Sequence, residues 1–507
     1  MSRIFPFLLI CFLASCTHSP SDSVPVAPPK PNIIYVLADD LGYGDLSCYQ
    51  AGGKISTPHL DRLASQGMLA TNAHAPASIC TPTRYGVLTG RYSWRSRMKQ
   101  GVVWSYGPAI LEPQRTTLPE FLQQAGYHTA CIGKWHLGLD WARKGEAAPT
   151  GQQLSGLYTK AEELSEEQVD LSQPITDGPP QHGFDYSFIL PASLDIPPYT
   201  FVENNQLISP PTAHTPGNDL NTGYTKAFWR EGAMSPDFDF EAVLPTFIDR
   251  SISYVEKHAQ SEQPFFLYLP LPAPHTPWLP VDSFVDHSQA GMYGDFVKMV
   301  DAEVGRLLSS LEESGQAGET LIIFTSDNGP YWRPQHIAET GHRAAGSLKG
   351  MKGDIWEGGH RVPFLASWPG HIPAGSRSDA LMSLTDAFAS IAAILEGVPP
   401  ANEAGDSFNQ WPQWVGDASA PERPNMVHHS SRNFFALRSG PWKYIPHAGS
   451  GGFTPPEDSP VDSLSGQLYQ LGQDLSEQQN LWGTELELQS QFQQALDSVI
   501  GNSLDSW

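Results

Sequence analysis

Two uninterrupted apolar runs constrain this chain more than any other feature: Asn32-Ile33-Ile34-Tyr35-Val36-Leu37-Ala38 and Thr320-Leu321-Ile322-Ile323-Phe324-Thr325-Ser326. Each has the length of a β-strand and no polar alternation, so each reads as a strand buried on both faces. Such strands need a layer on either side, which points to an α/β sheet with helices packed against it. Pro264-Phe265-Phe266-Leu267-Tyr268-Leu269 reads the same way, and Thr129-Ala130-Cys131-Ile132 is a shorter version. Both long runs end in an adjacent pair of side-chain oxygens, Asp39-Asp40 and Asp327-Asn328. An open α/β sheet holds its ligand at the carboxyl ends of its strands. Neighbouring carboxylates repel, so they need a cation or a shared proton. A helix cap would account for one such aspartate comfortably and for two poorly.

Cys80-Thr81-Pro82-Thr83-Arg84, followed by Leu88-Thr89-Gly90-Arg91, carries the pattern C-x-P-x-R. This is the core signal read by the machinery that oxidises a cysteine to an aldehyde, formylglycine. Alone the pattern is weak, since a half-buried thiol before a proline turn would also produce it. The stretch is predicted to begin a helix, aiming backbone N–H groups at any anion beside residue 80. In Gly133-Lys134-Trp135-His136, Lys134 and His136 alternate and are expected on one side of an extended segment. His275 lies between Pro274 and Pro277 after the third apolar run, a rigid frame suited to a positioned acid or base. Lys352 sits among glycines, in Gly350-Met351-Lys352-Gly353.

With 507 residues the chain has sequence for two packed units, and a net charge of −24 excludes nucleic acid as a partner. The same charge means that an anionic substrate needs a local concentration of cations. Residues 1–15 read as an export signal, with Arg3, an apolar run from Phe5 to Leu13 and the processing site Leu13-Ala14-Ser15-Cys16. That site resembles a bacterial lipobox, which implies a lipid anchor on Cys16 and a periplasmic or cell-surface location. A plain secretory signal is the alternative. Residues 16–31 form a Pro/Ser-rich tether, 32–423 the catalytic domain, and 424–507 a C-terminal subdomain. The subdomain is predicted to hold a hairpin turning at Ser439-Gly440-Pro441, a strand at Gln467–Leu471 and a helix over Glu485–Ile500. The polar stretch 142–181 reads as surface decoration, and the loop-rich region 200–235 as wall for a substrate pocket. Cys11 leaves with the signal. Cys48 and Cys131 remain, read as two buried thiols rather than a disulfide.

These motifs, in this order from Asn32 to Leu468-Tyr469-Gln470-Leu471, resemble the type I sulfatases, close to bacterial carbohydrate sulfatases related to the galactose- and N-acetylgalactosamine-6-sulfatases. The resemblance implies an alkaline-phosphatase-like α/β sandwich, with a large mixed sheet between helices and a small C-terminal α+β subdomain. It implies one divalent cation, Ca²⁺ with Mg²⁺ as the alternative, held by Asp39, Asp40, Asp327, Asn328 and residue 80. All-oxygen side-chain ligands suit these hard ions and would not select zinc. It also implies formylglycine made from Cys80 by a formylglycine-generating or anaerobic maturing enzyme. The aldehyde hydrate is then the nucleophile, forming a sulfo-enzyme. Arg84 and Lys134 hold the hydrate, His136 is the base that collapses it, and His275 and Lys352 bind sulfate, His275 also as general acid. Asp195 in Ser193-Leu194-Asp195-Ile196-Pro197-Pro198-Tyr199 could accept a sugar hydroxyl, and His342 or Arg343 could read a neighbouring group. The implied substrate is a sulfated carbohydrate. A phosphate or phosphonate ester hydrolase on the same fold, and a non-catalytic surface glycan-binding lipoprotein, are the alternatives.

Overall fold

The structure is a computed structural model that describes residues 30–145, 157–218, 227–400, 403–417, 419–454 and 464–501. The export signal at 1–15, Cys11, Cys16 and all of the tether except Lys30 and Pro31 lie outside the described residues. Among the described residues, no helix is long and apolar enough to cross a membrane.

A ten-stranded sheet organises the body, in the order Ser376–Ser378, Met68–Ala70, Phe364–Ser367, Thr320–Ser326, Asn32–Ala38, Phe265–Pro270, His128–Lys134, Tyr186–Leu190, Val202–Glu203 and Gln206–Leu207. The five strands from Thr320–Ser326 to Tyr186–Leu190 run parallel, and antiparallel pairings begin on either side of them. The two apolar runs lie side by side, with Ile33 opposite Leu321 and Ala38 opposite Ser326. Their side chains alternate between two separate cores. Ile33, Tyr35 and Leu37 enter one, while Ile34, Val36 and Ala38 enter the other. Each large aliphatic side chain buried this way contributes about 1.5–3 kcal/mol.

Helices close both faces. Pro58–Gln66, Val243–His258 and Gly291–Glu313 pack on the Val36 side through residues such as Leu60, Phe247 and Val300. Cys80–Thr89, Leu118–Gln124 and Ala387–Ile394 pack on the Tyr35 side through Tyr85, Leu118 and Phe388. The cysteine motif therefore begins a helix, as its sequence predicts.

From Pro31 onward the chain is one compact unit, with the C-terminal sheet as a lobe of it. That sheet is antiparallel, in the order Asn425–His429, Phe435–Ser439, Trp442–Ile445 and Gln467–Gln470. Its predicted hairpin pairs Ser439 with Trp442 across a two-residue turn. Gly440 takes φ +52° there, a left-handed backbone that glycine adopts without cost. A helix at Leu486–Gly501 covers this lobe.

Two local readings need correction. Residues 157–181 are not all surface, because Val169, Ile175 and Asp177 are buried and Asp177 lies 2.7 Å from His182 Nε2. Of the two remaining cysteines, both unpaired, Cys131 is buried but Cys48 is only half-buried.

Candidate active site

All five parallel strands deliver chemistry at their carboxyl ends. Ala38 leads into Asp39-Asp40, Ser326 into Asp327-Asn328, and Lys134 closes its own strand two residues before His136. Pro270 leads toward His275, and Leu190 toward Ser193 and Asp195. The ladder continues past the strands, since Asp39 N–H donates to the Ala273 carbonyl at 3.0 Å and Asp327 N–H to the Ala38 carbonyl at 3.0 Å. Gly133, at φ +140°, lets the Lys134 strand reach its neighbour, because a Cβ there would lie 2.0 Å from the Pro270 oxygen.

The four oxygen-bearing side chains converge, and all are fully buried. The Asp40 N–H donates to Asp327 Oδ1 at 3.3 Å, and Asn328 Nδ2 donates to Asp40 Oδ1 at 2.7 Å. Asp40 adopts φ +63°, a conformation costly for a non-glycine residue and frequent at functional turns. Asp39 Oδ1 and Asn328 Oδ1 accept no hydrogen bond, although buried. Asp39 Oδ1 has the Arg84 guanidinium 3.6 Å away but no hydrogen bond; a buried oxygen without one costs about 1–3 kcal/mol, and a cation would satisfy both. One ligand atom each from Asp39, Asp40, Cys80 and His275 falls within 4.8 Å of the others. The side-chain oxygens of Asp39, Asp40, Asp327 and Asn328 fit a hard divalent ion, with Cys80 and His275 beside them.

Cations of the chain surround these carboxylates. Lys134 Nζ lies 2.6 Å from Asp39 Oδ2, Lys352 Nζ 2.7 Å from Asp40 Oδ1, and Arg84 donates twice to Asp327 Oδ2, at 2.7 and 3.0 Å. Burial alone would raise Asp39, but the charges of Lys134, His275, Arg84 and Lys352 hold it well below the usual carboxylate range. Burial and the Asp39 charge push Asp327 the other way, against the pull of Arg84. Two close carboxylates thus share one set of cations unequally.

Cys80 is the first residue of its helix, after Ile79 in extended backbone. Burial pushes its thiol up to about 11 even though Lys134 and Lys352 pull it down, so the thiol is protonated at neutral pH. Thr81 ties the helix to the site by donating from Oγ1 to the His136 carbonyl at 2.8 Å. His136 departs from the alternation expected of it, because its φ of +57° ends the extended run. Its Nε2 lies 2.9 Å from the Val103 carbonyl and donates to it, leaving Nδ1 as the basic nitrogen, buried and without a hydrogen-bond partner. Burial, Lys134 and Arg84 hold this imidazole well below its ordinary range, hence neutral. His275 Nδ1 lies 2.6 Å from the Thr276 carbonyl, which places its proton there and turns Nε2 to within 3.7 Å of Asp40 Oδ2. Burial and Lys352 lower His275 as well.

A pocket of about 270 Å³ opens on these groups, with Cys80, His136, His275 and Lys352 among its lining residues. Asp195 is part of its wall, fully buried, with Oδ1 3.8 Å from His275 Nδ1 and without a hydrogen bond. Arg230 NH1 holds the other Asp195 oxygen. Arg230 also lies over the Trp104 ring, 4.8 Å from its centroid. His342 and Arg343 are not brought to the pocket. His342 is buried against Asp45, with Nε2 2.6 Å from Oδ1, and Arg343 is exposed. Asp45 also accepts from the Gly42 N–H and the Tyr293 hydroxyl, and that hydroxyl reaches the Asp40 carbonyl at 3.2 Å. His342 thus braces the turn that carries Asp39 and Asp40. Reading the sequence missed Trp104, Arg230, Tyr331, Arg333 and Phe453, all pocket residues from irregular segments. Only Arg230 fell in a region expected to build the wall.

The sulfatase family model matches residues 31–398. An N-acetylgalactosamine-6-O-sulfatase of Bacteroides thetaiotaomicron is 31% identical over an alignment covering 98% of this chain and 99% of the relative. Human arylsulfatase A is 32% identical, over 90% of this chain and 84% of its own. A solved Bacteroides thetaiotaomicron structure, described under the metabolism of multiple glycosaminoglycans, superposes with a TM-score of 0.78 at 31% identity, covering 94% of this chain and 100% of that one.

Proposed function

Given that the chain belongs to the sulfatase family and is a sulfatase-type hydrolase, we propose that it removes O-sulfate from sugars of sulfated glycans, with 6-O-sulfate on galactose-type residues as the favoured ester. The observation that carries this reading is one pocket lined by Cys80, His136, His275 and Lys352, in which Cys80 and His275 lie beside Asp39 and Asp40, themselves joined to Asp327 and Asn328. The sugar and the position are taken from the 6-O-sulfatase relative, and Asp195 Oδ1, which makes no hydrogen bond in the pocket wall, suits a sugar hydroxyl. We further propose an exported lipoprotein, anchored through Cys16 and activated by a maturing enzyme acting on Cys80.

Asp39, Asp40, Asp327 and Asn328 would hold the divalent ion, Ca²⁺ by the chemistry of the donors. When bound, the ion supplies positive charge beside the sulfuryl oxygens. The hydrate of the aldehyde made from Cys80 supplies the attacking hydroxyl. Lys352 and His275 orient the sulfate, and Lys134 and Arg84 keep positive charge next to residue 80. Lys134, Lys352 and Arg84 offset the charges of Asp39, Asp40 and Asp327, so a bound divalent ion would leave the site net positive inside an acidic protein, which answers the charge problem posed by the composition. His136 Nδ1 is the free base of the site, positioned to accept a proton near residue 80. His275 Nε2 is the nitrogen able to protonate the departing sugar oxygen. An arriving sulfate counteracts the burial and the Lys352 charge that keep it neutral in the free enzyme.

The test is release of sulfate from defined sulfated mono- and disaccharides by the matured protein, beside phosphate and phosphonate esters with added Ca²⁺ or Mn²⁺. Sulfate release from galactose-type 6-O-sulfates, at least about 100-fold faster than from other positions, is expected. Faster phosphate or phosphonate ester cleavage would overturn the reading. His275→Ala is expected to lower kcat on sugar sulfates by about 10²–10⁴-fold, the usual contribution of a general acid. On nitrophenyl sulfate, whose leaving group needs no proton, the loss is expected to stay below about 10-fold. Equal losses on both would remove His275 from that role.

A further inference from the structure

The scissile sulfate already has partners at the floor of the pocket, but the wall holds one more cation than that ester requires. Lys352 and Arg230 each carry an acidic partner, Asp40 and Asp195. Arg333, the third cation lining the pocket, has no carboxylate within ion-pair distance among the described residues. Its Nε is buried and makes no hydrogen bond. The guanidinium carbon lies 5.1 Å from the Tyr331 ring centroid, a cation–π contact that holds the group against the wall. Phe453, another lining residue, meets Tyr331 edge-on with centroids 6.0 Å apart. In a chain with 54 acidic and 30 basic residues, a half-buried arginine without an acid in a pocket wall is an exception. A buried donor left unsatisfied is costly, and an anionic ligand group would supply what the protein does not. The planar fork of arginine matches carboxylate and sulfate two bonds at a time.

We propose that Arg333 is a subsite for a second anionic substituent, a carboxylate or a sulfate, on the sugar next to the one that carries the scissile ester. A cavity of about 270 Å³ is at the small end for ligand sites, and Arg333, Tyr331 and Phe453 line it together with the residues that face the scissile ester, so a neighbouring sugar is within the reach of the same wall. The substrate class is thereby narrowed to polyanionic glycans. This inference rests on the sulfated-glycan reading, so binding and turnover are measured separately. Binding uses the Cys80→Ala protein and three disaccharides that share one 6-O-sulfated galactose-type residue. The neighbour is neutral in the first, a uronate in the second and sulfated in the third.

At least one anionic neighbour is expected to tighten binding about 10- to 100-fold over the neutral one, as charge-assisted bidentate bonds do. Comparing the uronate with the sulfated neighbour distinguishes the two sources of the anion. Arg333→Gln is expected to abolish that preference and Arg333→Lys to restore part of it. In matured protein the preference should appear in KM rather than kcat. Equal affinity for all three disaccharides overturns the subsite without recourse to any variant, and a preference that survives Arg333→Gln overturns the assignment to Arg333. Absence of turnover with binding preference intact would instead count against the hydrolase chemistry.

Discussion

Replacing Cys80 with alanine is expected to abolish sulfate release, by at least about 10⁴-fold, while leaving the protein folded. The two effects separate because residue 80 does different work in each. For stability it is a small side chain at the start of the Cys80–Thr89 helix, buried among its neighbours. Alanine favours a helix at least as well, and one missing sulfur costs about 1 kcal/mol, so Tm should fall by a few degrees at most. For catalysis the loss corresponds to about 5.5 kcal/mol of barrier, far beyond that perturbation. The buried thiol itself, pushed up to about 11, is no nucleophile at neutral pH. Protein made without a maturing enzyme should therefore be nearly as inactive as Cys80→Ala, and mass analysis of the tryptic peptide spanning residue 80 should find an unmodified thiol. Sulfate release measured beside Tm checks both claims. Retention of more than about 1% of turnover by Cys80→Ala would end the nucleophile assignment.

What was legible in the sequence follows from what periodicity can report. Continuous apolar runs identified the Asn32–Ala38 and Thr320–Ser326 strands because burial on both faces removes polar alternation. Their terminal oxygen pairs could then be placed at one sheet edge, since parallel strands end on the same side. His342 was expected near the substrate from resemblance alone, and the sequence does not show a partner nearly 300 positions away, Asp45, that captures its side chain in the core. Arg230 and Arg333 escaped for a related reason: irregular segments carry no period, so only the folded chain reveals what faces the pocket. The left-handed turn at His136 was equally hidden. No glycine or asparagine marks it, and the conformation follows from the Pro191 carbonyl, which takes the His136 N–H at 3.1 Å.

The second large effect concerns the divalent ion. Addition of Ca²⁺ to chelator-treated protein is expected to raise Tm, and Asn328→Ala is expected to blunt that rise while lowering turnover about 10²–10³-fold. Asn328 is the informative position because it is the uncharged member of the set. Removing Asp327 would leave the buried Arg84 with only the more distant Asp39 oxygen at 3.6 Å; breaking a buried pair costs about 3–5 kcal/mol and would confuse loss of the ion with loss of the fold. Asn328 instead gives hydrogen bonds from Nδ2 to Asp40 Oδ1 at 2.7 Å and to the Gly329 carbonyl at 2.9 Å, and keeps Oδ1 without a donor. An ion present at a hundredfold excess over its Kd stabilises the folded state by about 2.7 kcal/mol, which for a chain of this size is a Tm shift of about 3 °C. Losing one of several oxygen ligands weakens that affinity, so the shift should return at higher Ca²⁺ and part of the activity with it. Chelation should lower Tm in the parent and hardly at all in the variant. The same Ca²⁺ response in both proteins would remove Asn328 from the ligand set. No response to Ca²⁺ or Mg²⁺ in the parent would mean that Lys134, Lys352 and Arg84 neutralise Asp39, Asp40 and Asp327 without a metal.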